Sequence, residues 1–226
     1  MNVVCIIPAR GNSKGIHKKN IINFSGMPLI SYSIKQAARS KYISKIYVSS
    51  DSQEILNISS EYGAEQIKRP ENISGDYASS ETALLHAIQD KKIDKNDIVV
   101  FLQATSPLRN FVDIDNAIEK LISTKSDSVF SACKIEDFFV WERKDSKLKS
   151  INYDHNNRKR RQDIPKQFVE NGSIYVFKVS TFLNVKNRLC GKIECSYMDH
   201  WKVHEIDSME DLELCEFLYN KRIKNE

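Results

Sequence analysis

The feature that most constrains this chain is the apolar run Val3-Val4-Cys5-Ile6-Ile7, closed by Pro8 and followed at once by a polar, glycine-containing stretch over 9–20. A half-exposed strand alternates apolar and polar residues, and this run does not. It predicts a strand covered on both faces, as in parallel sheets. The same grammar then repeats. Pro28 opens a helix with Leu29, Ile30, Ile34, Ala37 and Ala38 at helical spacing. Residues 45–50 (KIYVSS) read as a strand, and 52–62 as a helix with Gly63 just past its end. A short strand near Gln66-Ile67, a helix over 79–90, a strand over 98–103 (IVVFLQ), a helix over 112–123 and a strand over 129–133 follow.

That order predicts an α/β fold of three layers, α/β/α, built on a mainly parallel sheet. In such sheets ligands bind beyond the carboxyl ends of the strands. The polar loops after Ile7, Ser50 and Gln103 all lie at such ends and are expected to converge. The pattern breaks from about 137 to 164. Phe138, Phe139 and Trp141 come first, then a basic, Asn-rich stretch over 156–161, which suits an inserted flap or arm. A strand returns over 172–177. A last helix over 209–219 carries Leu212, Leu214, Cys215, Phe217 and Leu218, which are expected to pack.

The chain has 226 residues, enough for one domain that buries about 70 % of its unfolded surface. Its net charge of +4 suits anionic substrates and is too small to argue for nucleic acid. The five cysteines are odd in number and contain no Cys-x-x-Cys, so free thiols and a cytoplasmic location are expected. No apolar run nears the ~20 residues of a membrane span. The five histidines show neither metal-ligand spacing nor a partner for Ser-His-Asp chemistry.

The loop Pro8-Ala9-Arg10-Gly11-Asn12-Ser13-Lys14-Gly15, continuing to Lys18-Lys19-Asn20, is the richest in chemistry. Gly11 and Gly15 permit close approach of backbone to a ligand, and Arg10, Lys14 and Lys19 supply positive charge for a polyphosphate. It matches neither the Walker A nor the G-x-G-x-x-G pattern. From composition, a solvated basic turn is an equal reading. Asp207 has two readings, a metal ligand or an N-cap of the last helix beside Ser208. The run Arg158-Lys159-Arg160-Arg161 reads as a solvated arm or as a lid over anions. It lacks the stacking aromatics that nucleic-acid binding uses.

This loop resembles the nucleotide-binding signature of the acylneuraminate cytidylyltransferases, the CMP-sialic acid synthetases and related CMP-nonulosonate synthetases. Six further segments resemble that family in register: Val48-Ser49-Ser50-Asp51, Lys68-Arg69-Pro70, Asp76-Tyr77-Ala78-Ser79-Ser80, the run Leu102-Gln103-Ala104-Thr105-Ser106-Pro107-Leu108-Arg109, Arg161-Gln162-Asp163-Ile164-Pro165 with Asn171-Gly172-Ser173-Ile174-Tyr175, and Glu205-Ile206-Asp207 with Asp211-Leu212. The resemblance implies a Rossmann-like nucleotidyltransferase sheet, one domain over 1–226, and a small inserted dimerisation or lid segment over about 137–170.

It further implies transfer of CMP from CTP to the anomeric hydroxyl of an acidic keto-sugar, with Mg²⁺ or Mn²⁺ as cofactor and a homodimer as the assembly. Arg10, Lys14, Lys19 and Asn20 are implied to hold phosphates. Ala9, Gly11, Arg69 and Ser80 are implied to meet cytosine and ribose, with Asn12 in the same loop. Gln103, Arg161 and Tyr175 are implied sugar contacts, and Asp207 with Glu205 the metal ligands. Lys19, Arg10 and Asp207 are the implied catalytic set. Val169-Glu170 stand where sialic acid enzymes often have Arg-Pro, and Glu205 replaces a more usual Asp. The first difference opens the acceptor to legionaminate or pseudaminate. A 3-deoxy-manno-octulosonate enzyme and a non-catalytic nucleotide-binding module are the other readings.

Overall fold

The computed structural model describes residues 1–13, 15–75, 77–135 and 138–224, and for Arg161 the backbone only. Lys14, Asp76 and Asp137 therefore lie outside the described residues. Strand β1 (Val3–Pro8) enters a 3-10 turn at Lys19–Ile21 and a short ribbon, β2 (Asn23–Phe24) with β3 (Met27–Pro28). Then come α1 (Leu29–Ala38), β4 (Ile43–Ser50), α2 (Gln53–Glu61), β5 (Glu65–Lys68), α3 (Ser80–Asp90), β6 (Ile98–Leu102), α4 (Phe111–Thr124) and β7 (Ser128–Ile135). A hairpin follows, β8 (Trp141–Lys144) with β9 (Lys147–Ser150). The chain ends in β10 (Gln167–Lys178), α5 (Val179–Val185), β11 (Ile193–Met198) and α6 (Met209–Arg222).

Seven strands form one sheet in the order β11-β7-β10-β6-β1-β4-β5. All neighbours are parallel except β10, which runs antiparallel between β6 and β7. Strand period two divides the core. Val3, Cys5 and Ile7 of β1 face a cluster with α1, α2 and α4, while Val4 and Ile6 face α3 and α5. Ile6 and Ile7 have no exposed surface. Burying each side chain stabilises the fold by roughly 1.5–3 kcal/mol.

The helices start where local chemistry allows. Ser52 and Ser79 accept hydrogen bonds from the first turns of α2 and α3, and Asn110 with Asp113 forms a capping box on α4. Gly63, at φ +95°, leaves α2 in the left-handed region expected past a helix end. Ser208, with Asp211, caps α6, so Asp207 is not spent as a cap. The last helix departs from expectation. Leu212 and Cys215 are buried against Phe24, Leu29 and Tyr32, but Leu214 and Phe217 are exposed.

The inserted region is a hairpin with a type I′-like turn, since Asp145 and Ser146 both have positive φ. Every residue of β8 is exposed. Gln167 to Glu170 belong to β10, where they pair with β7. Pairing with β7 is interrupted between Glu170 and Tyr175, where Gly172 adopts φ +67°. Such a bulge re-aims the side chains around it. All five cysteines are free, and burial pushes the Cys5 thiol up to about 12. No helix among the described residues is long and apolar enough to cross a membrane.

Candidate active site

The loops at the carboxyl ends of β1, β5 and β6, with the segment before α6, surround a cavity of about 570 Å³, whereas the loop after β4, expected to converge there, borders a separate recess through Asp51 and Ser52. Arg10, Lys19, Asn20, Arg69, Ser80, Gln103, Glu205 and Asp207 all line it, with Ser13, Gly15, Ser79 and Thr105. The loop after β1 is held by its own hydrogen bonds. Ala9 N–H donates to Ser49 O at 2.9 Å, Gly11 N–H donates to Asp51 Oδ1 at 2.9 Å, and Asn20 Nδ2 donates back to Arg10 O at 2.9 Å. The N–H groups of Ala9 and Gly11 are thus taken internally. Gly11 and Asn12 border a separate recess of about 210 Å³ beside Asp51 and Glu54. Gly15 packs against the Asp207 carbonyl, which a Cβ would strike.

Arg69 is buried, donates through Nε to Ser74 Oγ at 3.0 Å, and lies 3.8 Å from Asp51. Burial lowers its pKa. Asp51 therefore organises both the first loop and Arg69. Its place at the end of β4 was the available sequence signal.

The floor is built by a second buried arginine. Arg109 is completely buried and donates to Gln103 O at 2.9 Å, Ser106 O at 2.8 Å, Ser173 O at 3.3 Å and the Ser33 hydroxyl. It fixes the β6 loop to the bulge of β10. Gln103, with its amide nitrogen turned inward, donates to Gly172 O at 2.6 Å and to Glu205 Oε1 at 3.0 Å. Gly172 is needed there, because a Cβ would collide with Glu205 and Gln103.

Glu205, Ile206 and Asp207 show how alternation sets the site. Ile206 is fully buried and its N–H donates to Thr105 O at 2.9 Å. The two flanking carboxylates consequently face the cavity. Lys19 Nζ lies 2.7 Å from Asp207 Oδ1, with the lysine 14 % and the aspartate 75 % exposed. Burial raises the Glu205 pKa to about 7, helped by the like charge of Asp207 and opposed by Lys19 and Arg109.

Tyr175 is buried outside the cavity lining. Its ring stacks on Phe101, which does line the cavity, at 5.4 Å, and its hydroxyl donates to Glu170. Burial and Glu170 push its pKa up. Glu81 and Arg188 carried no motif in the sequence, whereas Glu170 stands out there as part of the replacement of Arg-Pro. The Arg161 side chain lies outside what the structure describes.

A pocket at the carboxyl edge of a doubly wound sheet, lined by Arg10, Lys19 and Arg69 together with the carboxylates of Glu205 and Asp207, is the layout of an enzyme that handles phosphate esters. A family model described as cytidylyltransferase matches residues 4–223. The chain is 35 % identical to the pseudaminic acid cytidylyltransferase of Campylobacter jejuni subsp. jejuni, over 97 % of each protein. It is 31 % identical to the N-acylneuraminate cytidylyltransferase of Streptococcus agalactiae serotype III, over 93 % of this chain and 52 % of that one. Its fold is similar to that of CMP:2-keto-3-deoxy-manno-octonic acid synthetase solved with CTP, with a TM-score of 0.76, 15 % identity and coverage of 99 % and 100 %. The chain belongs to the cytidylyltransferase family, and it is a nucleotidyltransferase.

Proposed function

We propose that this enzyme transfers CMP from CTP to the anomeric hydroxyl of an acidic nonulosonate of the sialic acid type. The hydroxyl oxygen attacks the α-phosphorus and gives up its proton to water, the bond from that phosphorus to the bridging oxygen breaks, and pyrophosphate leaves with the electron pair. The observation that carries this reading is the Lys19 ammonium, partly buried at the cavity, 2.7 Å from Asp207 and on the same lining as Arg10 and Arg69. A cation held in a partly dehydrated site stabilises phosphate charge more strongly than one in water. Arg10 and Lys14 share that role, Asn20 holds the loop in shape, and Arg69 and Ser80 meet the nucleoside. Gln103, Tyr175 and Arg161 are on the acceptor side of this reading.

Mg²⁺ or Mn²⁺ fits the residues present. Glu205 and Asp207 offer two carboxylates on one segment, and Mg²⁺ takes one or two carboxylates with waters and phosphate oxygens. Among the described residues no group of three or more His, Cys, Asp or Glu offers an all-protein cage. When bound, the ion supplies Lewis-acid polarisation of the phosphate oxygens. Asp207 and Glu205 would hold it, and Lys19 orients Asp207.

A particular acceptor within the class is favoured by the Campylobacter relative, which acts on pseudaminic acid by its name and matches over 97 % of its length. We include a homodimer formed through the exposed hairpin, and a cytoplasmic location, in the same proposal. The test is pyrophosphate release with CTP, Mg²⁺ and a panel of acidic keto-sugars. Release with N-acetylneuraminate, pseudaminate or legionaminate supports the reading, and release with none of them refutes it. Gel filtration of the same protein gives the assembly.

A further inference from the structure

Next to Phe101, outside the residues that line the cavity, lies a cation that the reaction as described does not use. Arg188 lies in the segment between α5 and β11, and its guanidinium sits 4.5 Å from the centre of the Tyr175 ring and 5.3 Å from that of Phe101. Phe101 is part of the cavity wall. A guanidinium stacked on two rings is held in a fixed plane. Its Nη1 is 3.0 Å from Glu81 Oε1, in the first turn of α3 beside Ser80 of the lining. That contact is off the N–H direction, so the buried Nη1 has no aligned acceptor. The Tyr175 hydroxyl donates to Glu170.

We propose that Arg188 and Glu170 read an acylamino substituent of the acceptor sugar, and that Glu81 holds Arg188 until the sugar displaces it. This rests on the nonulosonate reading above. An acylamino group presents one carbonyl acceptor and one N–H donor. A guanidinium only donates and a carboxylate only accepts, so this pair matches it in both senses. Glu170 retains lone pairs beyond the one that Tyr175 occupies. The bland alternative is a surface tether between the 186–190 segment and α3. A tether alone has no reason to leave a buried N–H misaligned.

The experiment is steady-state kinetics on the full chain with CTP and two acceptors, a nonulosonate carrying acylamino groups and one carrying hydroxyls in their place. Arg188→Met is expected to raise KM for the acylamino acceptor about tenfold or more, leave KM for CTP within about twofold, and narrow the preference between the two sugars. Glu81→Gln is expected to move acceptor KM in the opposite direction, because it removes the competing carboxylate. Arg188→Lys keeps the charge and the stem, and provides the soluble variant if Arg188→Met does not fold. It too should weaken acylamino selectivity, since the planar fork is lost. Equal changes in both KM values, no change in acceptor preference, or a rise in acceptor KM in Glu81→Gln would overturn the assignment. A wild-type enzyme that uses neither sugar sinks the proposed function instead, and so separates the two failures.

Discussion

The segment between β11 and α6 makes two lysine–aspartate contacts of identical length in opposite surroundings. Lys202 Nζ is 2.7 Å from Asp113 Oδ2, and both side chains are under one-tenth exposed. Asp113 also closes the capping box of α4, and the Lys202 carbonyl accepts a 3.5 Å bond from Asn171 on the β10 bulge. Lys19 is likewise 2.7 Å from Asp207, but that carboxylate is three-quarters exposed over the cavity. Distance alone would rank the pairs equal. Burial separates them, because two charges taken out of water leave a large uncompensated cost when one is removed, whereas water replaces a partner at an open site. One pair holds the segment; the other leaves Lys19 and Asp207 available to a ligand.

Breaking the buried pair should have the largest effect. Lys202→Met leaves Asp113 charged and buried, and is expected to cost about 3–5 kcal/mol of stability, read by chemical denaturation. Lys19→Met should do the reverse. Its stability should stay within about 1 kcal/mol of wild type, while kcat/KM falls by about 10² or more in the pyrophosphate assay. Turnover within a few-fold of wild type would remove Lys19 from the chemistry.

Glu205 tests how the cavity floor bears charge. Its pKa is raised to about 7, so between the ordinary carboxylate range and about 7 the folded state holds a proton that the unfolded state has lost. The Glu205 contribution therefore falls as pH rises through that window. Glu205→Gln should flatten this part of the stability profile, measured by thermal melts between about pH 5 and pH 8. An unchanged slope would show that Glu205 is ionised throughout.

The smallest effect is expected in the hairpin. Leu148 is 56 % exposed, and Leu148→Ser should alter stability by no more than about 0.5 kcal/mol at low protein concentration. A larger loss that grows with protein concentration would show that a second copy covers this hairpin.

Much of this was readable from local pattern. The apolar runs at Val3 to Ile7 and Ile98 to Leu102 are continuous because both faces are covered, and they became β1 and β6. The loops after them carry Arg10, Lys19 and Gln103, which a strand-end rule gathers into one place. The edge of the fold was less legible. β11 alternates weakly because Ile193 and Tyr197 remain exposed, and α5 is only seven residues long. Leu214 and Phe217 have the spacing of a packed face, yet α6 buries only the narrow stripe containing Leu212 and Cys215. Glu81 and Arg188 gave no sign, since each acquires its meaning from a residue distant in sequence.

The sequence by itself determined the alternation of strand and helix and the loops that line the cavity. These depend on neighbours within a few residues, where spacing fixes geometry. The tertiary structure decided that β10 runs antiparallel between β6 and β7, so that Tyr175 stacks on Phe101 and Gly172 packs against Glu205. It also decided which lysine–aspartate pair is buried and which is open. Burial depends on everything packed around a residue, and that sum exists only once the sheet has formed.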